Sequence, residues 1–217
     1  MLLIFDWDGT LSDSTGIITR AMQRAADDLG WPVPEPEAVH NIIGLGLPEA
    51  LSKLYPGRHD ADYSALKARY RSHYLAEDQA APARFFPQVM ETLTQLRDQG
   101  HQLAVATGKS RQGLDRVFET MALRGFFNAS RCADETASKP HPLMLRELLE
   151  ELDGKPESAA MVGDTEYDMA MARSAGMARI AVSYGAHAIE RLHPYEPALC
   201  LDQFGDIRAW PALRQAS

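Results

Sequence analysis

The sequence predicts an α/β fold: a parallel sheet covered on both faces by helices and interrupted by an all-helical insert. Three observations carry this. Met1 to Phe5 is a charge-free apolar run, the pattern of a strand buried on both faces. From Phe85 onward short apolar runs alternate with segments of helical period, and repeated strand–helix units imply parallel strands with helices above and below. From Ser14 to about Arg84 no strand-like run occurs, so this stretch reads as helices and loops placed directly after the first strand. The expected organisation is a core of residues 1–13 and 85–217, with a helical cap of residues 14–84.

Taken in order, the first strand ends abruptly in Asp6-Trp7-Asp8-Gly9-Thr10. Ile18, Ala21, Ala25 and Leu29 then recur at helical spacing, stopped by Gly30. Three prolines between Trp31 and Pro36 predict an extended connection. A helix over about 37–43 is expected next, broken by Gly44-Leu45-Gly46-Leu47-Pro48, then a short helix over 49–55. Tyr63, Leu66, Tyr70 and Tyr74 mark the packing face of a longer one. In the second half, helices carrying Val89, Leu93 and Leu96, then Leu114 and Val117, then Met144, Leu145 and Leu148, alternate with strands. Those strands are expected over 102–106, 159–162 and 179–183, with weaker candidates at 128–133 and 199–201. In a doubly wound sheet of this Rossmann-like kind the site lies beyond the carboxyl ends of the strands. Asp6, Thr107 and Asp164 all sit at such ends.

With 217 residues, 45% of them hydrophobic, the chain is long enough for a full core. Thirty acidic residues against 22 basic give a net charge of −8, with a pI near 5.3. That balance argues against a nucleic-acid backbone or an anionic membrane as partner. No apolar stretch is long enough to span a bilayer, and a core strand beginning at residue 2 leaves no room for a signal peptide. Cys132 and Cys200 fit neither a disulfide framework nor a metal site of the CxxC kind. A cytoplasmic protein, monomer or homodimer, is expected.

The chemistry concentrates in four places. On an extended strand Asp6 and Asp8 share a face while Trp7 points away. Two like charges so close repel unless a divalent cation, or a reaction needing one ionised and one protonated carboxyl, uses them. The alternative is a solvated strand-to-loop turn. Thr107-Gly108-Lys109 lies where a strand meets a helix N-terminus and could cradle an anion, or simply cap the helix. Lys139, held extended before Pro140, could reach a phosphate or a carboxylate cluster, or remain an ordinary loop lysine. Asp164 and Asp168 share a helix face if a helix begins near Asp164, although acidic residues also serve as helix caps. The seven histidines show no metal-ligand spacing. Arg20, Arg24, Lys53, Arg69 and Arg71 read as mostly solvated.

In this order the four motifs, with a helical insert after the first, resemble the haloacid dehalogenase superfamily of aspartate-nucleophile phosphatases and their relatives. The opening FDWDGTLSDS, the segment IGLGLPEAL and the stretch RYRSHYLAE look most like phosphoglycolate phosphatase-like hydrolases. The resemblance implies Mg²⁺-dependent hydrolysis of a small phosphate monoester, with Asp6 as nucleophile and Asp8 as general acid and base. It further implies metal binding by Asp6, the Asp8 carbonyl and Asp164, and phosphate binding by Thr107, Gly108 and Lys139. Asp168 would bind through water or anchor Lys139. Leu45, Gly46 and Leu47 of the cap either meet the organic part of the substrate, the glycines allowing close approach and the leucines adding apolar walls, or form a plain helix–helix turn. Asp8 argues against a dehalogenase proper, which needs no acid at that position. A sugar phosphomutase of the β-phosphoglucomutase kind shares both aspartates. A non-catalytic module would have lost a motif residue, and none is lost.

Overall fold

A computed structural model describes residues 1–215. Six parallel strands form the main sheet in the order β5-β4-β1-β6-β7-β8, with β1 (Leu2–Phe5) flanked by β4 (Gln102–Thr107) and β6 (Ala159–Gly163). Strands β5 (Ala129–Cys132), β7 (Ala178–Val182) and β8 (Leu199–Leu201) complete it. Alternation along β1 explains the double winding. Leu3 and Phe5 enter one core with Val89, Leu93 and Leu96 of helix α5 (Val89–Asp98) and Leu114 of α6 (Arg111–Thr120). Leu2 and Ile4 enter the opposite core with Met144, Leu145 and Leu148 of α7 (Leu143–Glu151) and Met171 of α8 (Glu166–Ser174). A strand buried on both faces needs no polar residue, and β1 has none.

Helices α1 (Thr15–Asp28), α2 (Pro36–His40), α3 (Leu47–Leu54) and α4 (Asp60–Ala80) share a third core, built from Ile18, Met22, Val39, Leu51 and Leu66 among others. Their boundaries differ from expectation in three ways. Pro36 is the first residue of α2 rather than the end of the extended stretch, because a proline at N1 forfeits no helical hydrogen bond. Helix α2 also stops at His40, where the Ile42 and Ile43 N–H groups turn back to the Val39 and His40 carbonyls. Helix α3 starts at Leu47, two residues early, with Gly46 as its N-cap.

Two strands were not expected. Ser12–Asp13 (β2) and Arg84–Phe85 (β3) form an antiparallel pair at the two points where the chain enters and leaves the helical block. Pairs of two residues carry no readable periodicity. No described helix is long and apolar enough to cross a membrane.

Leu66 is the one buried residue of the 21-residue α4. Leu66→Ala should therefore destabilise the protein by about 2–4 kcal/mol, as loss of a packed core leucine does. Leu75→Ala on the same helix, where the side chain is 41% exposed, should change stability by no more than about 0.5 kcal/mol. Urea unfolding of the two variants checks this, and equal effects would mean α4 is not held through Leu66.

Candidate active site

The site is built from the ends of β1, β4 and β6 and the loop before α7. Trp7 anchors the first of these. It is buried, with Phe85, Phe118 and Phe127 ring centroids 5.7, 5.6 and 6.3 Å away. Its carbonyl accepts the N–H groups of Thr10, Leu11 and Ser12, closing the loop on itself. Asp6 and Asp8 consequently point to the other side, and both line a cavity of about 810 Å³ between the sheet edge and α1, α3 and α4. Gly9 has φ +85°, and a Cβ there would lie 2.2 Å from Asp164 Oδ2, so the position must be glycine for Asp164 to come in.

Asp164 precedes the helix rather than sharing its face with Asp168, since α8 begins at Glu166. Asp164 Oδ1 accepts the Thr10 hydroxyl at 2.8 Å and Oδ2 the Ala186 N–H at 2.7 Å. Asp168 is the third residue of a capping box with Thr165. Its Oδ2 accepts the Thr165 N–H and hydroxyl at 3.1 and 2.6 Å, and its Oδ1 accepts the Lys139 ammonium at 2.6 Å. The Asp168 side chain thus meets Lys139, one of the two contacts expected for it. The same ammonium lies 2.7 Å from Asp6 Oδ1, yet neither Asp6 oxygen accepts an aligned hydrogen bond from the described residues.

Asp6, Asp164 and Asp168 each offer an oxygen within 4.8 Å of the others. With all of them ionised, four buried carboxylates, counting Asp8, would face two ammonium groups, Lys139 and Lys109, with an excess of two negative charges. Burial pushes the Asp6 carboxyl well above its usual range against the pull of Lys139. Burial, and behind it the Asp168 charge, pushes Asp164 up to about 7. Hard oxygen donors, an orphaned buried carboxylate and a charge deficit of two fit a divalent cation. Asp168 is the most fully occupied of the three, with Lys139 on one oxygen and two Thr165 donors on the other, whereas Asp164 accepts a single neutral donor on each oxygen.

Thr107 ends β4, buried, with its Oγ1 accepting the Lys109 N–H at 3.2 Å. Gly108 lines the cavity, and a Cβ on it would sit 2.5 and 2.7 Å from the Leu45 and Gly44 carbonyls. The 44–47 segment thus rests directly on the second motif. Leu45 and Leu47 line the cavity. Gly46 instead faces the core, its N–H donating to Ser138 Oγ at 2.7 Å.

Several residues escaped the sequence reading. Lys109 Nζ sits 2.9 Å from Asp8 Oδ1, and Ser14 donates to the same oxygen at 2.5 Å. Burial alone would lower the Lys109 pKa, but Asp8 and the neighbouring tyrosines raise it overall. Tyr70 and Tyr74, expected as packing residues only, also line the cavity. Lys53, expected to be solvated, donates to Tyr167 Oη at 2.6 Å, and the Tyr167 hydroxyl donates to the Asn41 carbonyl. Arg191 joins this seam through Asn41 Oδ1 and Glu166. A strand-end lysine and a helical tyrosine carry no spacing signal linking them.

The haloacid dehalogenase-like hydrolase family model matches residues 3–182, spanning all four motifs. The chain belongs to that family. Among its relatives, the Probable phosphatase IndB of Dickeya dadantii is 36% identical over 212 residues, covering 95% of this chain and 91% of that protein. A phosphoglycolate phosphatase of Aliivibrio fischeri is 32% identical, covering 94% and 92%. A crystal structure of a predicted phosphoglycolate phosphatase from Haemophilus somnus superposes with a TM-score of 0.82 at 26% identity, covering 96% of both chains. This chain is accordingly a phosphatase of the family, similar to its phosphoglycolate phosphatases.

Beside the site, His187 is buried, its Nδ1 accepting the Glu166 N–H at 3.2 Å and its Nε2 without a partner among the described residues. Burial, with Arg191 nearby, pushes its pKa down to about 4. A depressed folded value means the neutral ring contributes stability that is complete above about 6.5, the unfolded value, and is lost as pH falls toward 4. The urea midpoint should fall between pH 7 and pH 4.5 more steeply in the wild type than in His187→Asn, which keeps an acceptor for Glu166. Parallel pH profiles would show that His187 does not titrate in this way.

Proposed function

We propose that the chain hydrolyses a small phosphate monoester, of the kind of 2-phosphoglycolate, through a phospho-aspartate on Asp6 in a Mg²⁺-dependent reaction. The observation that carries this is the contrast between two aspartates on one cavity wall. Asp6 has only its ion pair with Lys139, whereas Asp8 adds an aligned hydrogen bond from Ser14 to its ion pair with Lys109, both on one oxygen. A carboxylate whose oxygens take no aligned donor suits a nucleophile, and a fixed one with a free oxygen suits proton transfer.

Asp6 attacks phosphorus, the bond from phosphorus to the ester oxygen breaks, and the Asp8 proton passes to that oxygen to release the alcohol. Water then attacks phosphorus and gives its proton to Asp8. The bond to Asp6 breaks, inorganic phosphate leaves, and both carboxyls are restored. Thr107, the Gly108 N–H and Lys139 hold the phosphoryl oxygens. Asp6, the Asp8 carbonyl and Asp164 would hold Mg²⁺, which supplies positive charge to the phosphoryl oxygens when bound. Both cysteines are free, in keeping with a cytoplasmic setting.

Purified protein should release phosphate from 4-nitrophenyl phosphate with Mg²⁺ and stop when the metal is chelated. Asp6→Asn should abolish turnover. Asp8→Asn should slow alkyl phosphates by about 10²–10⁴-fold and aryl phosphates less, since a good leaving group needs no proton. Turnover unaffected by chelation would overturn the metal role, and transfer of phosphate without its release would mark a phosphomutase.

Residues 14–84 act in this reading as a cap domain over a core of 1–13 and 85–217, and supply substrate choice. Leu45 and Leu47 meet the organic part of the ester, while Gly46 holds the segment to the core. Leu45→Ala and Leu47→Ala should each shift relative kcat/KM among phosphate esters by several-fold, about what lost apolar contacts are worth. An unchanged profile in both would place recognition elsewhere.

A further inference from the structure

The two donors on Asp8 share one oxygen. The Ser14 hydroxyl, at the foot of α1, and the Lys109 ammonium, in the loop after β4, both meet Oδ1, at 2.5 and 2.9 Å. Oδ2 has no partner among the described residues, on a side chain that lines the cavity. A carboxyl whose Oδ1 accepts a hydroxyl and lies against an ammonium has room for its own proton on Oδ2. The hydroxyl and the ammonium together therefore fix both the plane of the carboxyl and the oxygen that carries the proton.

Lys109 is itself held from the other side of the cavity. Its side chain is 11% exposed, its ammonium donates to Tyr74 Oη of α4 at 3.2 Å, and it lies 4.9 Å from the centre of that ring. Tyr74 is flanked in turn by the Arg116 guanidinium of α6, 5.9 Å from the ring centre, and Arg116 pairs with Asp78 of α4 at 2.8 Å. An ammonium with one acceptor on the sheet edge and another on α4 bridges two bodies of the structure. If α4 shifts, Lys109 must give up one of them.

The geometry points to Lys109 as a positioning residue that aims Asp8 at the leaving oxygen and, through Tyr74, makes that aim depend on the seat of α4. This rests on the reading of Asp8 as acid and base. The rival role, a cation that binds the phosphoryl group directly, makes a different kinetic demand. Loss of a phosphate-binding charge weakens every ester alike, whereas loss of a proton donor's aim penalises esters whose leaving group needs the proton.

The test compares kcat/KM for glycerol phosphate and 4-nitrophenyl phosphate, because kcat/KM reports the step that expels the leaving group. In Lys109→Met the alkyl-to-aryl ratio should fall about 10- to 100-fold, the scale of a misplaced catalytic group. Tyr74→Phe, which keeps the ring and removes the hydroxyl, should lower the ratio in the same direction by about 3-fold or more. Equal losses on both esters, or wild-type ratios in both variants, overturn the inference. Should Lys109→Met fail to fold, as judged by circular dichroism, the ratio in Tyr74→Phe decides alone. A wild-type enzyme inert on both esters would instead overturn the phosphatase mechanism, and this inference with it. An active wild type with a shifted ratio in Asp8→Asn but not in Lys109→Met or Tyr74→Phe leaves the mechanism standing and removes Lys109 from it.

Discussion

Everything at the site follows from the need to hold four carboxylates together in a buried place. Isolated ionised carboxylates are not tolerated in a protein interior, and each must be paired, hydrogen-bonded or metal-bound. The structure answers differently for each one. Asp168 is fully supplied by Lys139 and Thr165, Asp164 takes one neutral donor on each oxygen, and Asp8 takes Ser14 and Lys109 on a single oxygen. Asp6 is left with an ion pair and nothing aligned. The gradient from satisfied to unsatisfied orders the residues by function. The most completely bonded carboxylate is scaffold, and the least bonded is the proposed nucleophile.

The sheet makes this possible by bringing strand ends from distant parts of the chain to one edge while keeping the three strands that deliver them free of charge. Asp6, Thr107 and Asp164 are each the residue that ends, or follows, a buried run. Trp7 shows how tightly packing and chemistry are joined. Its ring fills an aromatic pocket on one side of the chain, and that choice forces the two flanking aspartates to the other. A smaller residue at 7 would loosen the core and the aim of both carboxyls together.

Much of this was legible in the sequence. The apolar runs of β1, β4 and β6 are unambiguous because no charge interrupts them, and each delivers its motif to the sheet edge without further information. Helix boundaries near prolines shifted by a residue or two because capping, not periodicity, sets them. What the sequence hid were contacts between parts with no shared pattern: Lys109 with Tyr74, Lys53 with Tyr167, and the two-residue strands β2 and β3. A last strand at 199–201 was readable, but the polar seam of Asn41, Glu166 and Arg191 depends on how the helical block sits on the core. The mutual position of Asp164 and Asp168 was misjudged for a related reason. A capping box holds the helix start two residues beyond Asp164, so convergence comes from the turn rather than from helical spacing.

The register of β1 has a consequence for how the chain reaches this state. Leu2 pairs with Gln102 on one side and with Ala159 on the other. The earliest of the six strands therefore has no neighbour until the helical block and α5 have left the ribosome, and no second one until two further strand–helix units have followed. Contacts so distant in sequence carry a large loop-closure entropy and slow the folding of parallel sheets. Until then an apolar edge of unpaired backbone stands open, the surface on which chains aggregate. The central place that lets β1 present Asp6 also makes nascent chains dependent on its being shielded during synthesis.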